Sequence, residues 1–174
     1  MIEGRQYEFG VSGLLYKSNL LLYDKQTGSL WSQLLSEAVT GALAGKHLAV
    51  LPAENTAWGA WRAAHPGTRI LSFFTGYARD YAEDPYAAYP LPRNAALLVA
   101  AEGQIKIYPF SELKKAPSAV TDRVGGQELD IRYDRRTNTA RIDNQPASVT
   151  AFVAFLDDLK AFYPQAGIYR GRHR

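Results

Sequence analysis

Two stretches of this chain repeat one another, and an internal repeat constrains architecture more tightly than any single residue does. Ala38-Val39-Thr40-x-x-Leu43-x-Gly45-x-x-Leu48-x-Val50 aligns without a gap on Ala119-Val120-Thr121-x-x-Val124-x-Gly126-x-x-Leu129-x-Ile131, at an offset of 81. Downstream, Thr56-Ala57-Trp58-x-Ala60-Trp61 aligns on Thr150-Ala151-Phe152-x-Ala154-Phe155, and each stretch runs on to a proline, Pro66 or Pro164. Strands with one apolar face need a helix to cover it, so two such units can share a core about a pseudo-dyad. The expectation is an α+β fold: one strand-rich domain over 1–169, with two helices and two pseudo-symmetric strand–loop–helix units. Unit one covers about 29–71 and unit two about 95–169; 72–93 is a loop insertion and 170–174 a basic tail. Gly45 and Gly126 then serve as turn residues with positive φ, not as phosphate-cradling glycines.

Local signals fill in this frame. Tyr7–Val11, Leu14–Tyr16, Leu20–Asp24 and Ser29–Leu34 read as strands, with Lys17-Ser18-Asn19 and Lys25-Gln26-Thr27-Gly28 as turns. Asn55 or Thr56 can cap a short helix bearing Trp58 and Trp61, stopped by Pro66. Leu97–Ala100 and Ile105–Pro109 flank Ala101-Glu102-Gly103 as a hairpin, and Leu129–Tyr133 and Thr139–Ile142 flank Arg135-Arg136-Thr137-Asn138 as another. Phe152, Phe155, Leu156, Leu159 and Tyr163 form one apolar stripe at helical spacing, which predicts a helix over 149–163 capped by Ser148. Trp31, Trp58 and Trp61 read as core residues.

Composition narrows function by exclusion. Zero cysteines removes disulfides, thiol catalysis and thiolate metal sites, and the three histidines are too scattered to suggest a metal centre. No apolar run is long enough to span a membrane, and no signal-peptide pattern opens the chain. The net charge of +3 is carried by Arg170, Arg172 and Arg174; without them 17 cationic residues face 17 anionic ones, which argues for a tail and against nucleic-acid binding. No cofactor motif is present. Gly10-Val11-Ser12-Gly13 is not a nucleophile elbow, because Leu14 stands where glycine is required; it reads as a tight bend inside a β-hairpin.

The most unusual segment is 75–90. Four of the eleven tyrosines fall within thirteen residues there, beside an arginine and three carboxylates. Tyr77, Arg79, Asp80, Tyr81, Asp84 and Tyr86 are the candidate ligand-binding residues: a long irregular insertion is a common recognition loop, and tyrosine offers a flat face plus a hydroxyl. Packing of the same tyrosines onto the domain, with Arg79 stacked or paired to Asp80 or Asp84, explains the composition better than recognition does. Asp80, Glu83 and Asp84 lack the spacing of a calcium loop, so no metal site is assigned.

The run FGVSGLLYKSNLLLYDKQTGSLWSQ, followed by AVTGALAGKHLAVLP, TAWGAWRAAHP and TGYARDYAEDPYAAYP, resembles a bacterial family, domain-of-unknown-function family 3179, from about Gly4 to Gly167. The resemblance implies no mechanism. It does imply an extracytoplasmic setting, because members of the family are often exported or membrane-anchored. Many members also carry an upstream segment with a cysteine motif, which this cysteine-free sequence does not show. Ile2-Glu3-Gly4-Arg5 reads like a protease-cleavage linker, although Gly4-Arg5 before an aromatic strand also fits the family pattern. The sequence thus supports an accessory or ligand-binding module for a small molecule or protein partner, acting through the tyrosine-rich loop. Its alternatives are a hydrolase using Asp80, Glu83, Asp84 or Asp24, and a purely structural interaction module.

Overall fold

The computed structural model describes residues 2, 4–51, 53, 55–72, 74, 76 and 94–171. Strands β1 (Phe9–Tyr16), β2 (Asn19–Asp24), β3 (Leu30–Ser32) and β4 (Glu37–Thr40) form an antiparallel N-terminal sheet in chain order. Helix α1 (Trp58–Ala64) follows. The second half opens with the hairpin β5 (Ala95–Ala101) and β6 (Gln104–Pro109), then a single helical turn, α2 (Phe110–Leu113). Next come β7 (Ala119–Val124), β8 (Gln127–Asp134) and β9 (Thr139–Ile142), which form a three-stranded outer sheet. The chain ends through β10 (Thr150–Phe155), α3 (Leu156–Phe162) and β11 (Gly167–Ile168). A central sheet runs β10-β5-β6-β11, antiparallel except for the β6–β11 pair. The class is α+β, and no helix among the described residues is long and apolar enough to cross a membrane.

Side-chain alternation explains the layering. Leu129, Ile131 and Tyr133 of β8 point inward while Glu128, Asp130, Arg132 and Asp134 face solvent, as one-sided burial of a strand demands. They meet Leu97, Val99, Ala101 and Tyr108 of the central sheet in the largest apolar cluster. The other face of the central sheet carries Ala96, Leu98 and Ile107, which pack on Leu159 and Phe162 of α3. Strand β5 is therefore buried on both sides, which is why AALLVAA reads as a continuous apolar run. The N-terminal sheet keeps a small core of its own around Trp31 and Ala38. It docks on α3: the Lys17 ammonium donates to Ala161 O (2.8 Å), Tyr163 OH donates to Leu34 O (2.5 Å), and Tyr16 meets Phe162 edge-on.

The hairpin expectations hold. Three tight turns use two consecutive positive-φ residues, as two-residue hairpin loops prefer: Lys17-Ser18, Glu102-Gly103 and Gly125-Gly126. Gly10–Gly13 lies inside β1 at a register shift, where Ser12 Oγ donates to Leu21 O and accepts from the Leu14 N–H; instead of a bend separating two strands, the segment is an irregularity within one continuous strand.

Two expectations need correction. Residues 150–155 are not the start of a helix but a strand paired with β5 along its whole length, Thr150 opposite Ala100 to Phe155 opposite Ala95. The helical stripe is genuine only from Leu156 on; Thr, Val and Phe favour a pleated surface, and the open edge of β5 supplies the partner. Ser148 consequently caps nothing. Phe155 precedes the helix without a side-chain cap, and Asp157 and Asp158 complement the first turn. The second concerns the repeat. Both Ala-Val-Thr segments lie in strands followed by a positive-φ glycine, Gly45 or Gly126. But Trp58 begins a helix with no buried residue, whereas Phe152 lies mid-strand, so the downstream match does not share a structural role. Of the tryptophans, Trp31 is core, Trp58 is exposed, and Trp61 is half-buried with its indole N–H on Thr68 Oγ1.

Candidate functional site

A cleft of about 920 Å³ opens where the outer and central sheets part. Near Gly125 the two sheets are closed on each other: its N–H donates to Gln104 Oε1, and a Cβ there would lie 2.1 Å from the Ala101 carbonyl oxygen. The cleft runs along the opposite end of β7, residues Ala119–Asp122, and faces Lys106 of β6 and Ile168–Arg170 around β11.

Its chemistry is cationic. Among the described residues, Lys106, Lys115, Arg135 and Arg170 line it beside the carboxylate of Asp122, with Glu112 behind Lys115. Asp122 faces inward from β7 and is held by three donors: Lys106 Nζ at 2.6 Å and Tyr108 OH at 3.0 Å on one oxygen, and the Arg123 N–H at 2.7 Å on the other. Burial pushes this carboxyl up, but the hydrogen bonds from Lys106, the Arg123 amide and Tyr108, with the lysine's charge, outweigh it and hold the pKa below the usual carboxylate range. The Tyr108 ring is fully buried, stacks on Tyr169 (centroids 5.4 Å apart) and lies 5.7 Å from the Lys106 ammonium. Burial, then the neighbouring Asp122 charge, raises its phenol far above the ordinary range. Near neutral pH the carboxylate stays ionised and the phenol stays protonated. The cluster is thus a fixed scaffold and not a proton-transfer pair.

The other cations are positioned by backbone. Arg135, in the β8–β9 loop, donates to the carbonyls of Lys114 and Ala116 (2.9 Å each), which pins its guanidinium at the cleft mouth. Lys115 pairs with Glu112 at 2.7 Å, and Glu112 also accepts from the Gly171 N–H at 3.0 Å. Arg170 is therefore carried on an anchored segment. The reading of 170–174 as a tail is corrected at Arg170 and Gly171, and cationic residues distant in sequence do gather on one surface. A second hollow of about 500 Å³ adjoins over Arg135 and carries Arg132, Arg136 and Arg141. Two of these arginines are neutralised by Asp143, at 2.6 and 3.3 Å.

The sequence-predicted site residues Tyr77, Arg79, Asp80, Tyr81, Asp84 and Tyr86 lie outside the described residues, as does Glu83. Asp24, the remaining carboxylate of the hydrolase alternative, is fully buried. Its oxygens accept from the Thr27 N–H, Thr27 Oγ1 and the Trp31 indole N–H at 2.6, 2.9 and 3.0 Å. Burial raises its pKa and the Trp31 and Thr27 bonds lower it further than that, leaving an ionised group that ties the β2–β3 turn to Trp31. It has no open face for a substrate. The Lys106–Asp122–Tyr108 cluster was missed because its members lie on three different strand positions. The legible trace was Asp122, which interrupts the apolar face of Val120 and Val124 on β7.

Comparison with curated proteins and with solved structures returned no match. A family model, described as "Protein of unknown function (DUF3179)", matches residues 1–163, nearly the whole chain. The chain belongs to the DUF3179 family.

Proposed function

We propose that this domain is a non-catalytic binding module that holds an anionic ligand in the cleft between the outer and central sheets. The observation that carries this reading is the gathering of Lys106, Lys115, Arg135 and Arg170 around one already-satisfied carboxylate. Like charges brought together on rigid elements, with Arg135 pinned by two carbonyls, favour an incoming anion over the empty state. Tyr169, half-buried against Tyr108, adds a flat apolar wall. The fixed protonation of Asp122 and Tyr108 supports binding over acid–base catalysis.

Calorimetric titration with citrate, at constant ionic strength, tests the proposal. The parent protein binds it saturably at one site, and the Lys115→Ala/Arg170→Ala double variant binds about tenfold more weakly or worse. No binding by the parent, or equal binding by the variant, overturns the reading. The tyrosine-rich segment 75–90 enters only on sequence grounds, as a second contact surface; melts of Arg79→Ala and Tyr86→Ala that fall well below the parent would assign it to the core instead. An extracytoplasmic setting belongs to the same proposal and is tested by fractionating cells that express the gene.

A further inference from the structure

Among the described residues, the walls of the cleft are two sheet edges with no strand added to them. Strand β7 is the edge strand of the outer sheet. Ser118 O accepts from the Tyr133 N–H, and the register continues Ala119 opposite Arg132, Val120 opposite Ile131 and Thr121 opposite Asp130. Antiparallel ladders alternate between residues that bond their partner and residues whose N–H and C=O point away. The pair 118/133 bonds, so 120 and 122 bond as well, and Ala119 and Thr121 turn their backbone groups outward. Both residues are exposed and line the cleft. On the facing side β11 is the edge of the central sheet, paired in parallel with Ile168 opposite Ile107, and the Tyr169 N–H donates to Ile107 O at 2.9 Å. In that geometry Ile168 turns its own N–H and C=O away from β6, at a position that lines both this cleft and the neighbouring hollow over Glu112 and Lys160.

Unpaired edges are what an added strand satisfies, and natural proteins blunt them unless they are used. We infer that the cleft takes an extended acidic segment of a partner protein, which adds as a strand to the Ala119–Thr121 edge of β7 while its carboxylates meet Lys106, Lys115, Arg135 and Arg170. The inference rests on the anion-binding reading above and narrows its ligand to a polypeptide. Charge decides the occupant: four cations gather here, and the carboxylates of Asp122 and Glu112 pair with only two of them, so a segment rich in lysine or arginine would meet a net positive surface, whereas one with alternating carboxylates places its charges along one face with period two. The open edge spans Ala119–Asp122, so about four residues of the partner pair, roughly 13 Å of extended chain.

The probe is a dye-labelled peptide, acetylated Glu-Val-Glu-Val-Glu amide, followed by fluorescence anisotropy with the full chain. It is compared with the same peptide bearing Lys for Glu, and with two isomers N-methylated at alternate backbone nitrogens, which keep the charge but block one edge each. The expected result is binding of the acidic peptide, its displacement by citrate, no binding of the lysine peptide, and weakening of at least one N-methyl isomer by about tenfold or more. Thr121→Pro removes one outward N–H and also the Thr121 Oγ1 bond to Asp130, so Thr121→Val, which loses only that side-chain bond, is its control: the proline variant should lose the peptide and keep citrate, and the valine variant should keep both. Equal binding of all three acidic peptides, with citrate binding intact, overturns strand addition and leaves the anion site standing. A parent that binds no citrate overturns the underlying reading as well. A parent that sediments as a dimer dissociated by the peptide would make a second copy the occupant and overturn the assignment of a different partner.

Discussion

Truncating Leu159 and Phe155 to alanine separates the strand-then-helix arrangement of residues 150–162 from one continuous helix. Leu159 is fully buried beneath Leu34, Leu98, Ile107 and Phe162. Leu→Ala there removes about 2 kcal/mol of transfer free energy at ~0.8 kcal/mol per methylene. The cavity adds a further ~1–3 kcal/mol because the site is walled by the central sheet on one side and by Leu34 of the N-terminal half on another, so collapse is restricted. The expected total is about 3–5 kcal/mol. Phe155, by contrast, is 42% exposed at the end of β10. Its truncation should cost no more than about 1 kcal/mol, as surface positions do. With m near 2 kcal/mol/M, urea midpoints should fall by roughly 1.5–2.5 M for Leu159→Ala and by less than about 0.5 M for Phe155→Ala. Midpoints that fall equally, or further for Phe155→Ala, would mean that both residues share one buried helical stripe and that β10 is misassigned.

Two further predictions follow from the closed end of the cleft and from its carboxylate. Gly125→Ala places a Cβ 2.1 Å from the Ala101 carbonyl oxygen at φ +55°, so it should destabilise the fold by more than about 2 kcal/mol, whereas Gly126→Ala, with open space, should cost about 1 kcal/mol; a thermal melt showing the reverse order refutes the sheet closure. Asp122 has a folded pKa held below the unfolded value of about 3.9, so its stabilising contribution is present above that pH and is lost as pH falls through the folded value. The urea midpoint of the parent should therefore drop more between pH 6 and pH 3 than that of Asp122→Asn, and parallel drops would show that the carboxylate gains nothing from Lys106 and Tyr108 on folding.

Where turn chemistry and alternation agreed, the sequence was readable. Ala101-Glu102-Gly103 announces its hairpin because Glu102 and Gly103 must both take positive φ between apolar runs. Leu129, Ile131 and Tyr133 announce β8 by period two. The stretch from Phe152 to Tyr163 misleads because Phe152 and Phe155, three apart, extend the helical stripe of Leu156, Leu159 and Tyr163, although in the strand they point to opposite faces; only the sheet edge offered by β5, distant in sequence, decides for the strand. The site was hidden for a related reason. Lys106, Asp122, Arg135 and Arg170 are spread across the second half of the chain, and a balanced charge count conceals their convergence. Arg170 looked like part of a frayed end because the bond from the Gly171 N–H to Glu112 has no sequence signature.

The central claim, that the cleft between the outer and central sheets is an anion site, is tested most directly by backbone amide shifts of the isotopically labelled protein titrated with citrate. The account predicts saturable shifts confined to Lys106, Lys115, Ala119–Asp122, Arg135 and Ile168–Arg170, and their loss in Lys115→Ala/Arg170→Ala. Shifts centred instead on Arg132, Arg136 and Arg141, or scattered without saturation over the surface, would contradict it.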